Sequence, residues 1–284
     1  MPELALALLF AVFIWWFSTG IVLMLNRMSR GAVGLSLLLS TGLGLLALVA
    51  LAHTAQQTTV SGAYCAFTSA LLVWGWHELS FLTGWITGPR KTALPPGLSE
   101  GQRFVESVRA ILWHELAILV VGGVIVLITW GAPNQVGTGT FAVLWVMRTS
   151  AKLNLFLGVR NLSEEFLPPH LRYMESFFRR RAVNLLFPVS VTVASLVLAM
   201  LLAHALHPST SHAAAVGTVL VSTMLGAAIL EHWMLVLPLD TTALWRWAIR
   251  EAGRRQAPVT APSPAAAPGV PLPLESDDKL LRAR

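Results

Sequence analysis

Seven long apolar runs restrict the folds open to this sequence more than any motif does. Each run reaches the roughly 20 residues that one helix needs to cross the hydrocarbon core of a bilayer. The runs cover residues 4–26, 32–53, 62–86, 107–130, 136–158, 182–205 and 213–238. A soluble domain could not bury this surface, because 55% of the 284 residues are hydrophobic and only 12% are charged. The sequence therefore predicts an all-α, polytopic membrane helix bundle with about seven transmembrane helices.

The loops between the runs alternate in charge, and this alternation predicts the orientation of the chain. Residues 54–59, 132–138 and 206–211 contain no Lys or Arg, whereas the other connections carry several. Because positive residues near span ends are held on the cytoplasmic side, we expect the N-terminus outside and the C-terminus in the cytoplasm. The net charge of +6 is then a topology signal, and it gives no reason to expect nucleic-acid binding.

Three regions are predicted from these patterns. Residues 1–250 form the transmembrane helical domain, and residues 251–284 form a Pro/Ala-rich cytoplasmic tail that we expect to be disordered. Between the fifth and sixth runs, residues 169–181 combine apolar side chains with three terminal arginines, which is typical of a cytoplasmic helix lying on the bilayer surface. The apolar side chains near one face of that helix are Leu171, Met174, Phe177 and Phe178.

Ionisable side chains inside four of the runs are the candidate functional residues. A charge at membrane depth costs at least about 2.5 kcal/mol, so such residues usually face a partner or a cavity. At 1.5 Å rise per residue, all of them fall in the half of the membrane nearer the cytoplasm. The sequence therefore predicts one polar pocket that opens toward the cytoplasm. Its candidate binding residues are His77, Glu78, His114, Glu115, Arg148, Lys152, Asn154, Glu231 and His232.

The residues alone leave three interpretations of this pocket open. The glutamates could neutralise Arg148, Lys152 and the imidazoles and so hold the bundle together. A histidine could instead bind the central metal of a tetrapyrrole between tryptophans, with Arg148 or Lys152 holding carboxylates of the ligand; another small hydrophobic ligand is equally compatible. A third interpretation is a membrane metalloenzyme with iron or manganese that acts on a tetrapyrrole or lipid-soluble substrate. Its candidate metal ligands are His77, Glu78, His114, Glu115, Glu231 and His232.

The spacing of these residues argues against the metal centre. Dinuclear sites in helix bundles place Glu and His three residues apart, so that both side chains face inward. Here each His is directly adjacent to a Glu, and adjacent residues diverge by about 100° around a helix. Only one member of each pair can point fully at a shared centre.

Three long strings resemble a known family. They are residues 76–91 (WHELSFLTGWITGPRK), 152–161 (KLNLFLGVRN) and 163–173 (SEEFLPPHLRY). They are similar to the photosynthetic complex assembly protein 2 family, also called PuhE, and the similarity extends to about Trp247. The resemblance implies a multi-pass protein of the inner, cytoplasmic or intracytoplasmic, membrane of anoxygenic phototrophic bacteria. It also implies a role in reaction-centre assembly and bacteriochlorophyll supply, and it supplies no catalytic residue.

These observations together predict an assembly factor for the reaction centre or light-harvesting apparatus. Its pocket around His77, His114 and His232 would transiently hold bacteriochlorophyll or a precursor. Its partners would be the lipid bilayer and reaction-centre or light-harvesting subunits or other assembly factors. A metalloenzyme and a purely structural scaffold remain the alternatives, and a role without catalysis is favoured.

Overall fold

A computed structural model of the chain describes residues 2–239 and 241–248, and seven long α-helices form the fold of these residues. The helices are α1 (Pro2–Leu25), α2 (Arg30–Thr54), α3 (Val60–Leu82), α4 (Glu100–Thr129), α5 (Val136–Leu157), α6 (Leu186–Ala205) and α7 (His212–Met234). Three short 3₁₀ helices, Glu164–Phe166, Pro169–Phe177 and Thr241–Trp245, lie outside them. Since no strand occurs within those two ranges, the all-α prediction is confirmed there. The predicted tail, residues 251–284, lies outside the described residues.

Five of the helices are long and apolar enough to cross a membrane: α1, α2, α4, α6 and α7. Helices α3 and α5 carry several Gly, Ser and Thr residues in addition to ionisable ones. Their place in the bundle accounts for this, since α3 packs against α1, α2, α4, α5 and α7. A helix enclosed by other helices needs less lipid-compatible surface than one at the periphery.

The arginine-bearing loops meet at one end of the bundle, which we call the basic end. It is formed by the α1–α2, α3–α4 and α5–α6 connections and by the segment after α7. Arg27 Nη2 donates to the Glu165 carbonyl oxygen at 2.6 Å, and Asn161 N donates to the Leu235 carbonyl oxygen at 2.9 Å. These contacts tie loops that are distant in sequence into one layer.

Polar caps place the helix ends a few residues from the limits of the apolar runs. Helix α4 begins at Glu100, seven residues before the run at 107, because Ser99 and Gln102 form a capping box. The Ser99 hydroxyl accepts from Gln102 N at 3.3 Å, and Gln102 Oε1 accepts from Ser99 N at 3.0 Å. Helix α6 starts later than its run, since Asn184 Oδ1 accepts from Leu186 N at 2.8 Å.

The segment between α5 and α6 differs from the surface helix expected for residues 169–181. It is a 3₁₀ helix that ends at Phe177, and Leu171, Met174 and Phe177 are buried. These side chains pack in a protein core that includes Phe81 of α3. They contact the protein, because the segment is held against α4 and against the end of α3, where His170 Nε2 donates to the Leu82 carbonyl oxygen. Phe178 lies beyond the helix and is half-buried.

Candidate functional site

The α3–α4 loop docks against α4 and fixes the position of His114. The Thr87 carbonyl oxygen accepts a hydrogen bond from the main-chain N–H of His114 at 2.9 Å. Next to it, Gly88 lies so close to α4 that a Cβ atom would stand 2.0 Å from the Arg109 carbonyl oxygen and 2.7 Å from that of Ala110. Only glycine fits this approach.

We expect Gly88→Ala to lower the free energy of unfolding by about 1–3 kcal/mol, because the added methyl group meets backbone that cannot rotate away. The change would be measured by denaturant titration of the purified protein in mixed micelles. Gly97→Ala is a contrasting loop variant: Gly97 has open space around its Cβ position, although its φ of +80° adds some strain. An equal loss in both variants would contradict the role of the close approach at Gly88.

His77 of α3 and His114 of α4 meet at the centre of the site. Their ring centroids are 6.4 Å apart with an interplanar angle of 78°, and each residue is only 1% exposed. Aromatic side chains surround the pair: the Phe81 ring lies 4.6 Å from that of His114, and the Trp76 ring lies 4.9 Å from that of His77. Phe141 of α5 closes the other side at 6.0 Å from His77.

Several polar atoms in this core have no hydrogen-bond partner. They are Nε2 of His77, both ring nitrogens of His114, Oε1 of Glu78 and Nε1 of Trp145. Buried polar groups in proteins are nearly always paired, and an exception calls for an explanation such as a ligand. This concentration of unpaired atoms on α3, α4 and α5 is the most ligand-like feature of the site.

Two ion pairs flank the imidazoles. Arg148 Nη2 lies 3.0 Å from Glu78 Oε2, and Lys152 Nζ lies 2.5 Å from Glu115 Oε1. Both cations project from α5, four residues apart and therefore on the same face. The pairing predicted by the structural interpretation is thus present, and it occupies the cations that the tetrapyrrole interpretation assigned to carboxylates of the ligand.

Glu231 joins the site from α7 through a hydrogen bond to α1. Its Oε1 accepts a hydrogen bond from Trp15 Nε1 of α1 at 2.9 Å. It lies within electrostatic reach of Arg148, which also interacts with Glu78 and Glu115. The three carboxylates come from three different helices, and all of them interact electrostatically with one guanidinium.

His232 and Asn154 are placed differently from the other candidates. His232 Nδ1 donates to the Ala228 carbonyl oxygen at 2.9 Å, and its Nε2 lies 2.9 Å from Ser150 Oγ. Asn154 donates to the Ser150 carbonyl oxygen at 2.9 Å and accepts from Asn184 Nδ2 at 3.0 Å. Both side chains thus bond the ends of α5, α6 and α7 together. His232 makes no ring contact with His77 or His114, so the histidines form a pair and not a triad.

The geometry does not assemble the metal centre. Nowhere in residues 2–239 and 241–248 do three or more His, Cys, Asp or Glu side chains form a group that could hold a metal ion. The six candidate ligands are split between the histidine pair, the two ion pairs, the Trp15 hydrogen bond and the Ser150 contact.

Arg103 is a structural residue whose role the sequence did not indicate. From the sequence it is one of the loop cations that indicate topology, whereas in the structure it is 8% exposed and lies between α5 and the Pro169–Phe177 segment. Its Nη2 donates to the Phe177 carbonyl oxygen at 2.6 Å and to that of Phe156 at 3.1 Å. The sequence does contain one indication of its burial, because Arg103 lies on the same face of α4 as Ala110 and His114.

Comparison with known proteins gives a family. The family described as "Protein of unknown function (DUF3623)" matches residues 1–256. An uncharacterised 30.4 kDa protein in the puhA 5′ region of Rhodobacter capsulatus is 38% identical over 272 residues, which is 93% of this chain and 97% of the relative. No solved structure matches significantly. Since the family match spans all seven helices and every residue of the site, the chain belongs to the DUF3623 family.

Proposed function

We propose that this protein is an inner-membrane assembly factor for the bacterial photosynthetic reaction centre or light-harvesting complexes. All seven long helices would cross the bilayer, and the basic end would face the cytoplasm. Support for this setting comes from the Rhodobacter capsulatus relative, whose name places it in the puhA 5′ region. The resemblance to the photosynthetic complex assembly protein 2 family points the same way.

The site's proposed role is to hold bacteriochlorophyll or a precursor transiently at His77 and His114. The observation that carries this proposal is the buried pair of imidazoles with unpartnered nitrogens inside aromatic walls. A neutral imidazole nitrogen can bind the central metal of a tetrapyrrole, and flat aromatic side chains suit its faces. Because both rings are 1% exposed, loading requires neighbouring side chains to move, which suits a transient ligand better than a resident one.

The ion pairs restrict which tetrapyrrole fits. Arg148 and Lys152 already bond Glu78 and Glu115, so a ligand carboxylate would have to displace a short contact. The site therefore favours a ligand whose carboxylates are esterified or lie outside the bundle. It provides neutral ligands for the metal and apolar contacts for the ring.

The experiment is an absorption spectrum of the protein purified in mild detergent from a pigment-producing host. We expect co-purifying pigment in the wild type and a loss of at least about tenfold in His77→Ala/His114→Ala, since both candidate metal-binding groups are gone. His53→Ala removes an exposed histidine of α2 and serves as the matched control. Reaction-centre yield in the same host would be measured in parallel.

Pigment retained by the double variant at the wild-type level, with unchanged reaction-centre yield, would rule out this role for the imidazoles. The ion pairs favour a second candidate, a purely structural membrane scaffold. The scaffold predicts a colourless wild-type protein whose loss still lowers reaction-centre yield. Metal analysis of the same sample tests the metalloenzyme, which requires stoichiometric iron or manganese.

A further inference from the structure

A cavity at the basic end lies outside the histidine site. It has a volume of about 510 Å³ and is open on one side. Its walls come from the α1–α2 turn, the α3–α4 loop and the Pro169–Phe177 segment. Apolar side chains, Met28, Val33 and Leu171, cover part of the wall, and the remainder is polar. The proposed function makes no use of this cavity.

The charge of the cavity is positive. Arg30 and Lys91 line it, and none of its lining residues is an Asp or Glu. Neither cation forms a salt bridge within the described part of the chain, whereas the neighbouring Arg90 is held 2.8 Å from Glu106. Two cations left without a carboxylate on one concave surface attract an anion.

Asn26 supplies a second, independent sign of a ligand. It lines the cavity and is only 6% exposed, yet neither its side-chain nitrogen nor its side-chain oxygen has a hydrogen-bond partner. The N-terminus of α2 begins beside it at Arg30, with no acidic residue in the first turn and no side-chain hydrogen bond from the cap residue Ser29. The first N–H groups of a helix and its dipole favour a bound anion.

The far wall of the cavity is held rigidly and adds a further donor. His170 Nε2 donates to the Leu82 carbonyl oxygen at 3.0 Å. This contact requires glycine at position 84, where φ is +76° and a Cβ atom would lie 2.9 Å from the His170 ring. On the same segment, Tyr173 lines the cavity with a hydroxyl that keeps its proton at neutral pH, as tyrosine ordinarily does, and burial raises the pKa of this phenol further.

From this arrangement we infer that the cavity binds an anionic phosphate or carboxylate group through Arg30, Lys91 and the Asn26 amide. The anion can arrive as the headgroup of a membrane lipid or as a small soluble phosphate. The apolar wall accommodates the part of the ligand next to its charge.

The test is a calorimetric titration of the full-length protein in an uncharged detergent. Inorganic phosphate and phosphatidylglycerol are the two probes, and phosphatidylcholine is the control lipid. We expect saturable binding of at least one probe, weakened by at least about tenfold in Arg30→Gln/Lys91→Gln because both charge-assisted contacts are lost. Binding of phosphate would identify a soluble anion, and binding of phosphatidylglycerol alone would identify a lipid headgroup.

Two further variants keep the test decisive. Asn26→Asp preserves size but places a carboxylate in the cavity, so it should also abolish binding. Arg172→Gln removes an exposed cation from the same 3₁₀ helix outside the cavity wall, and it should bind as the wild type does. Binding of neither probe to the wild type, or equal weakening in Arg172→Gln and Arg30→Gln/Lys91→Gln, would overturn the proposal. Neither result depends on whether pigment binds at His77 and His114.

Discussion

Glu115→Leu is expected to lower the free energy of unfolding by about 3–5 kcal/mol, because it leaves the Lys152 ammonium without its partner inside the bundle. The Nζ–Oε1 distance is 2.5 Å, and the two side chains are only 21% and 22% exposed. Glu78 lies within electrostatic reach of Lys152 but forms its direct contact with Arg148, and the Lys152 Nζ lies 5.8 Å from the centre of the Phe81 ring. Denaturant titration in mixed micelles would measure the loss.

The double variant Glu115→Leu/Lys152→Met removes both charges but keeps side chains of similar volume, so it distinguishes the effect of charge from the effect of packing. Replacing a buried ion pair by apolar residues of similar size is often neutral or stabilising, so most of the loss should be recovered. Glu164→Gln is the control: it breaks the contact with Arg180, which is 66% exposed, and should cost less than about 1 kcal/mol. A double variant as unstable as the single one would show that Glu115 stabilises the bundle by something other than its charge.

The same double variant tests whether a carboxylate of the ligand binds Lys152 in place of Glu115. If the charges only hold the bundle together, their joint removal should leave pigment binding at His77 and His114 intact. If a ligand carboxylate displaces Glu115 from Lys152, pigment should be lost even though stability returns.

The helices could be predicted from the sequence because a bilayer requires long apolar runs, which composition reveals directly. The sequence also indicates that His77 lies at a similar level to His114, and Arg148 to Glu78. The rise of 1.5 Å per residue gives the distance of each side chain from the end of its helix. Which helix faces pair depends on packing across the bundle, and no local pattern encodes it. His232 therefore seemed equivalent to His114, although it bonds Ser150 instead.

The loop between α5 and α6 shows the limit of amphipathic patterns. Leu171, Met174 and Phe177 share one face, and such a face can bury itself against lipid or against protein. In the structure this face is buried against protein, and Arg103 of α4, far away in sequence, contributes by donating to the Phe177 carbonyl oxygen. The identity of a basic residue at a loop boundary does not show whether its side chain faces water or donates to a buried carbonyl group.

Arg103→Leu is expected to lower the free energy of unfolding by about 3 kcal/mol, since two carbonyl groups lose a charged donor at once. The guanidinium carbon also lies 4.2 Å above the centre of the Phe156 ring, and this cation–π contact is lost as well. Arg103→Lys should be intermediate, because an ammonium keeps the charge and can donate to both carbonyl groups but lacks the planar guanidinium that lies over the Phe156 ring. Arg109→Leu changes a 55% exposed arginine of the same helix and should cost less than about 1 kcal/mol.

Limited proteolysis would show whether Arg103→Leu loosens the α5–α6 loop. Without Arg103, the Phe177 end of the 3₁₀ helix loses its attachment to α4, so cleavage in the α5–α6 loop should become faster than in Arg109→Leu. The loosened core contains Phe81, whose ring contacts His114, and pigment retention should fall together with loop protection. Normal pigment content in a variant with a rapidly cleaved loop would show that the histidine pair is held independently of this end of the bundle.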